Sequence, residues 1–514
     1  MLAEVFAFGV PLILLAIGTV RGLKRGISIS DEGYLVYGTL ELMRGFVPIR
    51  DFRAYDPGRY IYTAAVFALL GKGYVSARLG MAFLSGIALI AIVGFVLAGS
   101  GNALLAGATG SACVLWMHPR HKQVESLFCV LCPVAATALA MGIGFWPGLI
   151  AGISLIFGLN LFVYFGAAFA FVLTSLLIQG DLGLWLIPKV VAGTVLGIAP
   201  LIALAATLQG TLRIYWQRKV MTILSRGSAN LALGKPWLWA GEVAQFAQLS
   251  RARQLGFKGL FTVIVPISVV ALVSESLGAN SAPFVTGTAA ASLAFFHHVH
   301  SRAGVNHFFQ STIPLVLLLA LLIATYLPLQ IGVAAVVGIA AFSLWVLWPI
   351  HHIRRDWLRD GRDTEPFTSV HDTLLLPPAM TTRLTKINTI VQAHGTAGDP
   401  LFAAPDFAGL FALVDRRSAA YDTYPIYPST PDGQAAMLQD LKTSAPKVAV
   451  ISKTTVDRRD DLRFAQNYTE VTEFIESNYT CVHNSRRDKV YVLQSALTDT
   501  DRKLARKVSR KSQA

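Results

Sequence analysis

Charge is what this sequence is shortest of. Only 14% of its 514 residues are Asp, Glu, Lys or Arg, against 54% hydrophobic ones, and the mean hydropathy is +0.53. A soluble domain carries about 25% charged residues. A chain this poor in ions cannot coat a water-facing surface of its own length, which excludes an ordinary soluble enzyme. It points instead to lipid-crossing helices, each needing about 20 apolar residues. Acids are scarcer than bases, 30 against 44, for a formal net charge of +14. No aromatic-basic nucleic-acid module accompanies that excess. Lipid phosphates and headgroups are therefore the expected anionic partners, and nucleic acid is not.

Cysteine is also scarce, with four residues at 113, 129, 132 and 481. Cys129 and Cys132 form a CxxC inside an apolar run, without a second pair or nearby histidines, so buried structural thiols are expected and zinc is not. The sequence has no internal repeat. The stretch 366–497 has no nucleophile triad, glycine-rich phosphate loop or DxD-like pair. The first apolar run, Leu2 to Val20, is longer than a signal-peptide core, and its basic residues Arg21, Lys24 and Arg25 follow it. It is expected to stay as a span.

Hydropathy places about eleven spans near 2–20, 79–98, 102–117, 124–141, 145–159, 161–178, 184–208, 257–277, 282–299, 308–327 and 328–349. The stretch 145–178 fits two short helices or one long helix broken at Gly158. The expected organisation is a spanning catalytic domain at 1–350 with a large first loop at 21–78, a charged linker at 351–365, a soluble α/β domain at 366–497 and a basic flexible tail at 498–514. In the soluble domain, Leu401–Ala404, Val448–Ile451 and Val490–Leu493 read as strands, and Gly433–Leu441 and Thr469–Ser477 as helices. The loops at 21–78, 118–123, 209–256 and 300–307 share one face with this domain. The positive-inside rule would turn that face to the cytoplasm, but long loops obey the rule poorly.

The first loop carries the densest chemistry. Ser30 can cap a helix with Asp31 and Glu32 in its first turn and Gly45 after its end; Asp56 and Pro57 can start a second that Gly71 stops. The second is too short to span comfortably and is amphipathic enough to lie on a membrane surface. Asp31 and Glu32 fit a plain helix-start role. They equally fit a general base that takes the proton of an attacking hydroxyl. Arg50, Asp51, Arg53, Asp56 and Arg59 form a mixed-charge cluster, either a salt-bridged loop or an arginine clamp on phosphate.

The run D-E-x-Y at 31–34, then G-x-x-P-x-R-D-F and P-G-R-Y up to residue 60, resembles the first external loop of the GT-C superfamily. These are multi-spanning glycosyltransferases using polyprenyl-phosphate sugars, here closest to protein mannosyltransferases and aminoarabinose transferases. The order of one span, a large loop with two surface helices, a bundle and a soluble C-terminal domain also matches. The resemblance implies an α-helical polytopic membrane protein of GT-C type with a C-terminal α/β domain, a loop-bearing face outside the cytoplasm, and Asp31, with Glu32 beside it, as catalytic base.

Arg302 and His307 fit that family's R-x-D-x-x-H run, but Gly304 stands where the aspartate is expected. Arg302, Arg59, Arg53, His307 and Lys122 are the candidate contacts for the donor phosphate. Tyr55, Asp51 and Tyr34 are candidates for substrate. Asp31 and Glu125 are the candidates should a divalent cation be needed. Glu125 also fits a simple pair with Lys122, and His297, His298 and His300 fit polar contacts better than a metal. The loop with Arg213, Tyr215, Trp216, Arg218, Lys219, Lys235, Trp237 and Trp239 suits an interfacial helix or a cover over the donor.

The expected activity is sugar transfer, with inversion, from a polyprenyl-phosphate donor to a lipid, glycan or protein hydroxyl. The expected place is the external face of a bacterial plasma membrane. The alternatives are a transporter or flippase, an O-antigen ligase or polymerase using a diphosphate donor, and a non-catalytic scaffold. A transporter would hold its ionisable residues deep in the bundle, and here they gather at one face.

Overall fold

Each of the eleven expected spans is a helix in the computed structural model, whose described residues are 2–208, 211–226, 231, 233–278, 282–351 and 363–513. In chain order, α1 (Leu2–Gly22) is followed by the two first-loop helices, α2 (Asp31–Met43) and α3 (Pro57–Leu70). Then come α4 (Tyr74–Ser100), α5 (Ala103–Trp116), α6 (Gln123–Ala140), α7 (Phe145–Phe157), α8 (Leu159–Gln179) and α9 (Leu186–Thr207). Two short helices, α10 (Thr211–Tyr215) and α11 (Met221–Arg226), flank a π-helical turn. The bundle closes with α12 (Arg251–Leu277), α13 (Pro283–Ser301), α14 (Val305–Tyr326) and α15 (Leu329–Leu347).

Among the described residues eight helices are long and apolar enough to cross a membrane, by length and composition. Of the other three expected spans, α5 and α7 are shorter apolar helices and α13 is not among the eight. The stretch 145–178 is two helices, with Gly158 between them in an extended conformation. The chain is thus a polytopic membrane protein.

The residues fall into two compact units: Met1–Leu23 with Arg78–Arg359, and Lys24–Ala77 with Asp360–Ala514. The first loop therefore forms one unit with the C-terminal domain. The linker expected at 351–365 lies largely outside the described residues, since 352–362 are not described.

The spanning unit is held by close backbone contact and by polar groups between helices. A side chain at Gly148 or Gly152 of α7 would come within 2.1 Å of Val190 O or 2.3 Å of Thr194 O on α9. Gly193 and Gly197 of α9 meet α7 in the same way. Both helices thus carry G-x-x-x-G, which lets backbones approach in lipid, where apolar burial gives little drive. Hydrogen bonds between helices join Ser268 to Ser292 at 2.9 Å and Ser276 to Ser175 at 2.8 Å. The four cysteines are free, and those at 113, 129 and 132 are buried.

The loop unit is built on a mixed five-stranded sheet of order β4-β3-β5-β7-β6. Its strands are β3 (Pro400–Ala404), β4 (Arg417–Ser418), β5 (Val448–Ser452), β6 (Tyr479–Asn484) and β7 (Asp488–Leu493), preceded by a hairpin of β1 (Glu365–Thr368) and β2 (Thr373–Leu376). Around it stand α16 (Pro378–Ala393), α17 (Ala408–Val414), α18 (Pro431–Ser444), α19 (Phe464–Asn467), α20 (Thr469–Asn478) and α21 (Asp499–Gln513).

Alternation along the strands sends Leu401, Val450, Val490 and Val492 to one core and Phe402, Ala449, Ile451 and Tyr491 to the other. The sheet is buried on both faces, which is why its central strands read as continuous apolar runs. The first core is shared with the first loop, through Val36, Tyr37 and Leu40 of α2 and Phe67 of α3. The loop also joins the hairpin by main chain, Gly26 N–H to Leu375 O at 2.9 Å and Leu375 N–H to Lys24 O at 2.8 Å.

The basic tail, expected to fray, is the helix α21. Leu504 packs on the first core, and Asp501 is buried against His394 at 2.9 Å. Leu504 and the buried Asp501–His394 contact tie it to the domain.

Candidate active site

Helix α2 starts at Asp31 after Ser30, whose side chain makes no capping bond to the helix. The Glu32 carboxylate accepts the Ser28 N–H at 3.2 Å, and Glu32 is only 2% exposed. Its acid is turned back on the chain just before the helix start. Asp31 is half-buried, and its Oδ1 accepts a hydrogen bond from the Tyr424 hydroxyl at 3.1 Å. The two neighbouring acids thus stand in different surroundings, one in a helix cap and one among aromatic rings.

Those rings come from three segments. Tyr34, one turn after Asp31, stacks on Tyr424 with centroids 5.1 Å apart and meets Tyr55 edge-on at 4.8 Å. Arg59 lies over the Tyr55 ring at 5.0 Å and Arg53 over the Tyr427 ring at 4.7 Å. Arg53 Nη1 also binds Asp422 Oδ2 at 2.6 Å. Burial opposes the Arg53 charge, but Asp422, with Tyr34 and Tyr427, outweighs it and holds the guanidinium above its ordinary range. Burial pushes the Tyr34 hydroxyl up, so it stays protonated at neutral pH. Asp51 accepts the Val47 N–H at 2.7 Å and pairs with Arg50 at 2.8 Å.

Two glycines let this cluster form. A side chain at Gly38 would meet the Tyr60 ring at 2.3 Å, and one at Gly33 would meet Gly409 Cα at 2.2 Å. Helix α2 therefore packs against α3 and α17 at backbone distance. The Tyr60 hydroxyl then accepts the Tyr55 N–H at 3.0 Å and fixes the turn before α3.

The C-terminal domain supplies residues that sequence reasoning missed. Asp406, Asp422, Tyr424 and Tyr427 all belong to the loop unit. Burial pushes the Asp406 carboxyl above the usual carboxylate range, and the Asp31 charge adds to this against Arg383. The signal for them was the segment Y-D-T-Y-P-I-Y-P at 421–428, three tyrosines and an acid in a loop that two prolines keep from being a helix.

In the spanning unit, Lys122 stands at the start of α6 and Glu125, buried, in its first turn. Arg302 follows α13, Gly304 precedes α14, and His307 lies in the first turn of α14 with its ring 4.7 Å from that of His298. His298 Nε2 is 2.7 Å from Gln310 Oε1. The loop before α12 is tied to this corner. Lys235 Nζ donates to His300 O, and Gln245 Nε2 to Ala303 O at 3.0 Å. Trp237 and Trp239 stack at 5.2 Å, with Trp239 mostly exposed.

The same unit holds a half-open groove lined by Leu14, Gly18, Arg78, Arg120, Gln123 and His351 among others. Arg78 and Arg120 donate to Leu23 O at 2.7 Å and Gly22 O at 3.0 Å, closing the carbonyl end of α1. Arg78 carried no sequence signal, since it opens an apolar run.

Asp31 and Glu125, the candidates for a divalent cation, lie in different units. Among the described residues no three His, Cys, Asp or Glu form a group that could hold a metal ion.

No protein-family model matches the sequence, and no curated protein matches it. Among solved structures, ArnT from Cupriavidus metallidurans in the apo state is similar with a TM-score of 0.54 at 15% identity, over 95% of this chain and 97% of that one. ArnT from the same organism bound to undecaprenyl phosphate gives a TM-score of 0.47 at 15% identity, over 96% and 98%. The fold is ArnT-like along almost the whole chain.

Proposed function

We propose that the protein is an inverting glycosyltransferase that moves a sugar from a polyprenyl-phosphate donor to a lipid, glycan or protein hydroxyl. The observation that carries this reading is Asp31: a half-buried carboxylate at a helix start, set among tyrosines and arginines, on an ArnT-like fold. ArnT is an aminoarabinose transferase of the GT-C family, which supports the same broad reaction here.

In this reading the acceptor oxygen attacks the anomeric carbon and its proton passes to Asp31. The bond from that carbon to the phosphate oxygen breaks, and the polyprenyl phosphate leaves with the electron pair. One base and one displacement invert the anomeric centre. Fixed cations stabilise the charge that develops on the leaving phosphate; Arg302, Lys122, Arg53 and Arg59 are the candidates for that role, each to be tested by itself, with His307 a candidate hydrogen-bond donor to the phosphate. Tyr34 and Tyr55 offer ring faces to the sugar, and Asp51 offers a carboxylate at the loop's edge. Glu32 has the weaker claim as base, because its carboxylate accepts a main-chain N–H. The catalytic face lies outside the cytoplasm of a bacterial cell, with the C-terminal domain on that side.

Single-turnover transfer from a panel of synthetic polyprenyl-phosphate sugars, in detergent, tests the reading. Asp31→Asn lowers the rate by about 10²–10⁴ while donor binding persists. Arg302→Ala weakens donor binding, and Arg302→Lys recovers only part of it, lacking the planar fork. An Asp31→Asn protein active within a few-fold, beside a dead Glu32→Gln, reverses the choice of base.

A further inference from the structure

Tyr424 reaches Asp31 from a segment almost 400 residues downstream, and everything about its placement is over-determined. Its ring stacks on Tyr34. Its N–H donates to Asp422 Oδ1 at 3.1 Å, and Asp422 takes Arg53 through its other oxygen. Arg53 N–H donates to Tyr421 O at 2.9 Å, and the Tyr421 hydroxyl donates to Ile49 O at 2.7 Å. The chain of contacts runs from the first loop into the 421–424 segment and returns to the loop at Asp31.

We infer that Tyr424 is a positioning residue for the base: its hydroxyl fixes the Asp31 carboxylate in one orientation, so that the C-terminal domain completes the active site. The inference rests on Asp31 being the base and goes beyond it, because it gives the soluble domain a part in the reaction. A carboxylate on a short side chain turns freely about its terminal bond. One fixed hydroxyl on Oδ1 sets the plane of the carboxylate that takes the acceptor's proton. Burial, with the Asp31 charge next, raises the Tyr424 hydroxyl well above its ordinary range, so it remains a donor at working pH. The Asp406 carboxylate also acts on Tyr424 through its charge, and Tyr34 of α2 stacks on its ring.

The competing account is a staple: the hydroxyl only satisfies a buried carboxylate and holds the loop. Tyr424→Phe separates the two, since the ring and its stack on Tyr34 remain. The full-length protein is purified, and kcat, KM and melting temperature are measured with the donor that the wild type accepts. A positioning role lowers kcat about tenfold, with KM and melting temperature unchanged. A wild-type kcat overturns the assignment, and so does a loss of rate that follows a lowered melting temperature. Asp31→Asn is measured beside it. If that variant transfers sugar normally, the base reading itself fails and the positioning role with it. If Asp31→Asn is inactive and Tyr424→Phe is normal, only the positioning role falls.

Discussion

Gly33→Ala is the sharpest test of how the loop unit is assembled. The added methyl would lie 2.2 Å from Gly409 Cα and 2.4 Å from Gly409 N. Ordinary carbon contacts are about 3.5–4.0 Å, so α2 and α17 must separate by roughly 1.5 Å. Gly409 N–H donates to Ile29 O at 2.6 Å, and that bond stretches beyond reach. Overpacking of this kind costs about 1–3 kcal/mol, and the lost bond about another 1 kcal/mol. Alanine is the better helix former by about 1 kcal/mol, which does not cover the loss. The net effect is a destabilisation of about 1–3 kcal/mol, or a melting temperature roughly 3–10 °C lower for a unit of this size. Asp31 shares the same helical turn, so its carboxylate moves with the helix, and a displacement near 1 Å costs about 10²-fold in rate. Thermal unfolding of the purified protein reads the first effect and single-turnover transfer the second. Gly86→Ala, where nothing lies within 4 Å, is the control and leaves both unchanged. A Gly33→Ala protein with wild-type melting and a rate within twofold refutes the close crossing.

Two more expectations follow from the same structure. Burial disfavours the Asp501 charge, but the Thr498 hydroxyl and amide and His394 outweigh it and hold the carboxyl below its usual range. A lowered folded value means that the stabilisation of α21 is complete above about pH 4 and is lost as pH falls through the folded value. Hydrogen exchange along Asp499–Val508 from pH 6 to pH 2 checks this, and constant protection across the range contradicts it. For orientation, reporter fusions within 209–256 and at the C-terminus should both report the external side, whereas cytoplasmic signals at both would remove the lipid-donor mechanism.

The helices of the bundle were legible because each is a local fact: a run of apolar residues long enough for lipid, ended by glycine, proline or charge. So were α2 and α3, whose starts and stops are written by Ser30, Gly45, Pro57 and Gly71. The buried strands β3, β5 and β7 showed as short apolar runs, while β4 is two residues long and β6 is half polar, so neither carries a pattern. Helix α16 was missed because its buried residues Leu384, Ile387, Ile390 and Val391 are matched in number by threonines. Asp31 was visible as an acid at a helix start, but a helix cap and a catalytic base look the same in one dimension. The tertiary structure decided between the neighbours' surroundings, by turning Glu32 onto Ser28 and setting Asp31 against Tyr424. It also decided that the first loop shares a core with the C-terminal domain. Those contacts join residues more than 300 positions apart, and they depend on two glycines whose bare backbones let helices touch, a requirement that exists only once both surfaces are present.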